Sequence, residues 1–193
     1  MSKQILWATC CIAFFGSCRI GELLSHSEKS YDPYTTLLWS DIKRNGEGWL
    51  IHIKSPKSRT PGGEYIDIFS FTGHNCCPVK ALNMLEKLTN KKQKEMGPVF
   101  KFENGLLLTK TFFNKMVKNL LSDKLGKNGN DFSGHSFRAG IPAALAKHPK
   151  LISDNHIMGW GRWGAPPSYL AYTRLKLDQK KEIFSKIRSV LIY

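Results

Sequence analysis

Trp49-Leu50-Ile51-His52-Ile53 runs into Lys54-Ser55-Pro56-Lys57-Ser58-Arg59-Thr60-Pro61-Gly62-Gly63, and the run YIDIFSF follows at 65–71. The β-branched and aromatic residues of 49–53 and 65–71 are strand formers. The proline, glycine and basic residues between them mark a long hairpin loop. A further strand signal, Thr36-Leu37-Leu38-Trp39, stands upstream. From Pro78 onward the pattern turns helical, with candidate segments at 78–94, 109–124, 136–147, 150–158, 167–175 and 178–191. Upstream of all strands, 3–15 reads as a helix buried on most of its surface, followed by a turn over 16–19. A small antiparallel sheet in the N-terminal half packed with a run of helices predicts an α+β, mainly helical fold. Gly140 and Pro142 disturb the 136–147 segment. Either that helix starts near Ile141 with Pro142 in its first turn, or it is kinked there.

The chain has 193 residues, which suits one domain with a sizeable core. Lys and Arg number 29 against 15 Asp and Glu, a formal charge of +14. A charged fraction of 23% with 41% hydrophobic residues belongs to a globular chain, not a disordered one. The longest apolar run, 5–15, is too short to cross a bilayer. Such a charge excess calls for a polyanionic partner, with nucleic acid first and an anionic membrane surface second. Met1-Ser2-Lys3 before the apolar run has the outline of a signal peptide, but Phe14 and Phe15 stand where cleavage needs small residues. Five cysteines, the adjacent pairs Cys10-Cys11 and Cys76-Cys77 with Cys18 left odd, form neither an even disulfide framework nor a C-x-x-C zinc pair, as expected of reduced thiols. His74-Asn75-Cys76-Cys77 could be taken for a metal cluster, yet Pro78 behind it reads as a helix start and the cysteines as core.

Chemistry begins at His135-Ser136-Phe137-Arg138. On a helix, His135 and Arg138 share a face and could offer a proton carrier and a bidentate clamp to one phosphate. Alone, that pair is most simply a surface His and Arg of a basic protein. Other residues give it context: Arg19 in Cys18-Arg19-Ile20-Gly21-Glu22, Lys57 in the hairpin, Trp163 in Gly161-Arg162-Trp163, and Tyr172 nine positions after Trp163.

The order Arg19, Lys57, His135-x-x-Arg138, Trp163, Tyr172 resembles the signature of the tyrosine recombinase (phage-integrase) family over nearly the whole chain. Arg19–Leu24 looks like the family's first arginine box, and 50–53 with Lys57 like its catalytic-lysine hairpin. Gly134–Gly140 looks like the second box, and Gly161–Arg174 like the tyrosine box. The Gly-Arg-Trp opening and Tyr-x-Arg close are most similar to recombinases of eukaryotic mobile elements of the Crypton and DIRS groups.

The resemblance implies that the whole of 1–193 is a recombinase catalytic domain without the family's N-terminal DNA-clamping domain. It further implies single-strand cleavage of double-stranded DNA through a 3′-phosphotyrosyl intermediate, then rejoining, in recombination or integration of a mobile element. Arg19 and Arg138 would hold the non-bridging oxygens, with His135 and Trp163 adding hydrogen bonds. Tyr172 would be the nucleophile, Lys57 would protonate the leaving 5′-oxygen, and Glu22 would support Arg19 from behind. Lys54, Arg59, Arg162 and Arg174 are the candidate DNA contacts. No metal or other cofactor is expected. Self-association as a tetramer on paired sites is expected, and so is nuclear residence if the element is eukaryotic, or cytoplasmic residence otherwise.

Tyr169 also lies nine after a tryptophan, Trp160. Tyr172 is preferred for its Gly-Arg-Trp partner and the Thr173-Arg174 that follows. Lys57 is preferred to Lys54 on the hairpin alignment. The helix 178–191 carries Ile183, Phe184, Ile187 and Val190 as an apolar stripe, which could pack on its own domain or on a neighbouring subunit. The alternatives to a recombinase are a type IB topoisomerase, which usually has histidine at the place of Trp163, and a domesticated DNA-binding module without catalysis.

Overall fold

The computed structural model describes residues 2–56, 60–71, 73–148, 150–162 and 177–191. Helix α1, Ser2–Phe15, forms the centre of the core. Its Ile5, Ala8, Thr9, Ile12 and Ala13 are fully buried along one stripe, which Cys11 and Phe15 widen, so more of the helix than a narrow seam is removed from water. Thr9 satisfies its hydroxyl inside the helix by donating to the Ile5 carbonyl at 2.8 Å. A short helix α2, Ile20–Leu23, follows the turn after α1.

Three antiparallel strands come next in the order β1-β2-β3: β1 Ile42–Asn45, β2 Gly48–Ile53 and β3 Glu64–Ile68. Ile42 pairs with Ile51 and Ile51 with Ile66, while Trp49 pairs with Ile68. This register puts Ile42, Trp49, Ile51, Ile53, Ile66 and Ile68 on one buried face. Lys43, Leu50, His52, Tyr65 and Asp67 fall on the other by the two-residue period of a strand. The β2–β3 hairpin stands as expected, though its second strand ends at Ile68 and not at Phe71; of the connecting loop, residues 57–59 lie outside the described residues.

The expected strand at 36–39 is not one. Leu38 makes a single bridge to Pro98, and Trp39–Asp41 closes into a 3₁₀ turn, with the Asp41 carboxylate accepting from the Leu38 N–H at 2.8 Å. The apolar run there is apolar because it is core, with Leu37 and Trp39 buried. The first strand is β1 instead, which carries only one buried residue and therefore no strand-like hydrophobic signal. Asn45 faces Gly48 across the β1–β2 turn, where Gly46 adopts φ +58, a conformation that favours glycine.

The expected helix 78–94 is two: α3, Pro78–Leu88, and α4, Lys91–Met96. Asn90 starts the second by accepting from the Gln93 N–H at 2.9 Å. Helix α5, Lys110–Leu125, is capped by Thr109 and stopped by Gly126 in the left-handed region. Helix α6, Gly134–Ala146, begins at a Ser133 capping box and continues through Gly140 with Pro142 inside it, so it does not start near Ile141. Glycine at 140 is a packing requirement: a Cβ there would sit 2.2 Å from the Phe14 ring, so α6 can lie against α1 only without one. Gly134 is similar, since its Cβ would come within 2.5 Å of Ile20, placing the start of α6 beside the start of α2. Helix α7 is Asp154–Gly161, later than the expected 150–158, and α8 is Leu177–Leu191. The 167–175 helix lies outside the described residues. The α8 stripe is packed within its own chain: Phe184 lies 6.4 Å from Phe15, 5.2 Å from Phe69 and 6.3 Å from Trp160, ring centre to ring centre. No described helix is long and apolar enough to cross a membrane.

Candidate functional site

Four residues marked from the sequence, Arg19, Glu22, Arg138 and Arg162, meet at the end of α1. Arg19 is the N-cap of α2, and Glu22 folds back one turn to meet it. Its carboxylate accepts from the Arg19 N–H at 2.9 Å and from Arg19 Nη1 at 3.0 Å. The Glu22 side chain is 4% exposed and the Arg19 side chain 36%. Arg19 is thus the member of the cluster that reaches solvent.

Arg138 enters from α6. Its Nη1 donates to the Ser17 carbonyl at 2.7 Å, and its Nη2 to the carbonyls of Gly161 at 2.7 Å and Arg162 at 3.2 Å. At 1% exposure it is the largest fully buried side chain among the described residues. Burial first, then the nearby Arg162 and Arg19 charges, brings its pKa down to about 10, so it stays cationic at neutral pH. The expected phosphate fork is therefore turned inward: it staples the α1–α2 turn to the C-terminus of α7. Three carbonyls meet its hydrogen-bonding need where water cannot.

Arg162 departs further from expectation. Marked as a DNA contact, it is instead 11% exposed at the side chain and closed between two carboxylates. Nη2 meets Glu22 at 2.7 Å and the Ser17 carbonyl at 3.2 Å, while Nη1 meets Glu64 at 2.9 Å. Burial would lower its pKa, but Cys18, Glu22 and Glu64 around it outweigh that and hold it up. Burial likewise works to raise the Glu22 carboxyl, and Arg162 and Arg19 overcome it and hold the group below its usual range. Among the described residues the cluster holds three guanidinium groups against two carboxylates, with Arg19 and Arg162 paired to them and Arg138 held by carbonyls alone, so it carries an unbalanced positive charge.

His135 lies in the first turn of α6, exposed, three residues before Arg138. Its N–H donates to Ser133 Oγ at 3.2 Å. Lys54, at the foot of the hairpin, gives its ammonium to Asp41 and is half-buried by that pairing. Lys57, Arg59, Trp163, Tyr172 and Arg174, with the alternative Tyr169, lie outside the described residues. The sequence reading passed over Ser17 and Glu64. Glu64 left one signal, an acid at the strand end of a basic hairpin; Ser17 left none, because it contributes only a carbonyl.

Of the two cysteines expected in the core, Cys77 is buried but Cys76 is exposed, because it stands in the turn before α3 and not on the helix's inner face. Cys77 Sγ accepts from the N–H groups of Phe71 at 3.2 Å and Lys80 at 3.5 Å and so caps α3. Cys18 is fully buried beside the arginine cluster, and burial pushes its thiol up to about 12. No group of three or more metal-ligating side chains occurs among the described residues. Comparison with family models, curated proteins and solved structures finds no match to the chain.

Proposed function

We propose that this chain cleaves and rejoins DNA strands by tyrosine chemistry, as the catalytic domain of a tyrosine recombinase. One observation carries the proposal most: Arg19, Arg138 and Arg162, up to 143 positions apart in sequence, form one hydrogen-bonded network with surplus positive charge. That network touches the foot of the 54–63 hairpin through Glu64 and ends on the residue before Trp163. It thus brings together the first arginine box, the second box and the first two residues of the tyrosine box, beside the C-terminal foot of the hairpin loop.

In the proposed reaction Arg19 engages a non-bridging phosphate oxygen from the surface, held by Glu22. Arg138 contributes its charge from below and reaches the phosphate by exchanging carbonyl partners. His135 stands at the start of α6, where the helix dipole favours an anion. His135 takes the phenol proton as the Tyr172 oxygen attacks phosphorus, and the bond to the 5′-oxygen breaks. Lys57 delivers the proton to that oxygen, leaving a 3′-phosphotyrosyl link and a free 5′-hydroxyl. Attack by a 5′-hydroxyl of a second strand reverses the step and returns the proton, so bond energy is conserved. Paired DNA sites in a tetramer are the proposed setting.

The inward commitment of Arg138 is the observation that favours a second reading, a DNA-binding module that does not cleave. Trapping on a nicked substrate separates the two: a covalent protein–DNA adduct supports cleavage, and DNA binding without one supports the module.

Two expected outcomes follow from the chemistry. Lys57→Ala cripples cleavage of a normal phosphodiester but spares a substrate with a 5′-thiolate leaving group, which needs no proton. Equal loss on both substrates moves the general acid elsewhere, with Lys54 next to test. DNA affinity of the parent chain falls with salt, at a log–log slope of roughly −0.9 per phosphate neutralised. A salt-independent affinity by fluorescence anisotropy would contradict a phosphate-dominated interface.

A further inference from the structure

We infer that Arg162 is a positioning residue, clasping the peptide that leads into 163–176 to both the Arg19 turn and the foot of the 54–63 hairpin. The inference deepens the proposed cleavage activity and rests on it for the catalytic consequence; the clasp itself stands on geometry alone.

Arg162 follows α7 with φ +51 and ψ +39, in the left-handed region where a side chain is disfavoured. Glycine flanks it at 161 and would be the easy residue for such a turn. Arginine here gains what glycine could not supply. One guanidinium spans the Glu22 carboxylate, the Glu64 carboxylate and the Ser17 carbonyl, three groups from two segments far away in sequence. Among the described residues only one other non-glycine has positive φ, and that is Ser17, at +46. The carbonyls of both these residues are held by Arg138. The two strained turns are therefore fixed to each other, by Arg162 on one side and Arg138 on the other.

This arrangement gives Arg162 a different task from a phosphate contact. A DNA-contacting arginine keeps its charge at the surface, whereas this one is neutralised by carboxylates and shielded from solvent. Its backbone leads directly to Trp163 and its side chain reaches Glu64, at the end of the loop that holds Lys57. It ties the chain bearing the proposed nucleophile to the chain bearing the proposed acid, and both to Arg19.

Cys18 is a built-in reporter of the clasp, because it is fully buried and feels the charges of Arg162, Glu22 and Arg138. Cys11 and Cys77 are buried elsewhere, and Cys76 is exposed. The test labels the native full chain with iodoacetamide, maps each cysteine by mass spectrometry, and measures DNA affinity and adduct rate on the same proteins. In Arg162→Ala, Cys18 should label about tenfold faster or more, by local opening, while Cys11 and Cys77 stay protected. DNA affinity should hold within about twofold while the adduct rate falls about 10²-fold, the cost of roughly an ångström of misplacement. Arg162→Lys, which can meet one carboxylate but not both, should recover part of each effect.

The inference is overturned if Cys18 stays as protected as in the parent, or if Cys11, Cys18 and Cys77 all rise together as in general destabilisation. It is equally overturned if DNA affinity falls as far as the adduct rate, which would make Arg162 a phosphate contact. Should Arg162→Ala not fold, Glu64→Gln removes one of the two carboxylates and is judged by the same labelling pattern. A parent chain that forms no adduct defeats the cleavage proposal, and the Cys18 labelling still decides the clasp.

Discussion

Tyr172→Phe is expected to abolish covalent attachment to DNA, with a loss on the order of 10⁵- to 10⁶-fold, the scale seen when a covalent nucleophile is deleted. The substitution removes one oxygen and keeps the ring, so folding and DNA binding should persist. The phenol is a weak nucleophile at its ordinary pKa of about 10, and nearby cations are what make its phenolate accessible. Tyr169→Phe should leave attachment largely intact. The two tyrosines are three positions apart, about 60° on a helical surface, so spacing alone does not separate them. The flanking Trp163 and Thr173-Arg174 favour Tyr172. Mass mapping of the trapped peptide–DNA adduct decides the matter. An adduct on Tyr169 in the parent, or one that survives Tyr172→Phe, would overturn the assignment.

The second large effect concerns stability. Glu22 accepts from Arg19 twice and from Arg162 once, almost wholly out of water. Glu22→Gln leaves Arg162 with one carboxylate and Arg138 with two like charges close by. Breaking such a buried pair from one side costs about 3–5 kcal/mol, because the remaining charge stays desolvated. Against a total stability of about 5–15 kcal/mol, that is enough to drop the melting point steeply. The pH dependence has a definite sign. The folded-state pKa of Glu22 is lowered, so its contribution is fully present above the usual carboxylate value of 4.5 and is lost as pH falls through the folded value. Urea titrations from neutral to acid pH should show the parent weakening over that window and the variant weakening less. A variant within about 1 kcal/mol of the parent at neutral pH would show that the network adds little net stability.

The amino-acid sequence by itself determined the general fold class, the β2–β3 hairpin, the positions of most helices and the Arg19–Glu22 pairing. Each of these is local. Strand and helix periods, caps at Thr109 and Ser133, and partners three residues apart all lie within one element or one loop, where sequence spacing is spatial spacing. Even so, local signals failed where burial came from elsewhere. His135 and Arg138, three apart on α6, part company, one exposed and the other buried. The apolar run 36–39 imitates a strand because it fills the core, and β1 hides because three of its four residues face solvent. Only the tertiary structure decided what the arginines do. Arg138 and Arg162 are surface residues by type and by the chain's charge. What drew them inward are the Ser17 carbonyl and the Glu22 and Glu64 carboxylates, contributed by segments about 100 to 145 positions away. A desolvated charge needs several acceptors from different directions, and no single stretch of chain supplies them. The packing of α8 was settled in the same way. Its apolar stripe is plain in sequence, but the Phe15, Phe69 and Trp160 rings that receive it come together only once α1, the segment just after β3, and α7 have packed.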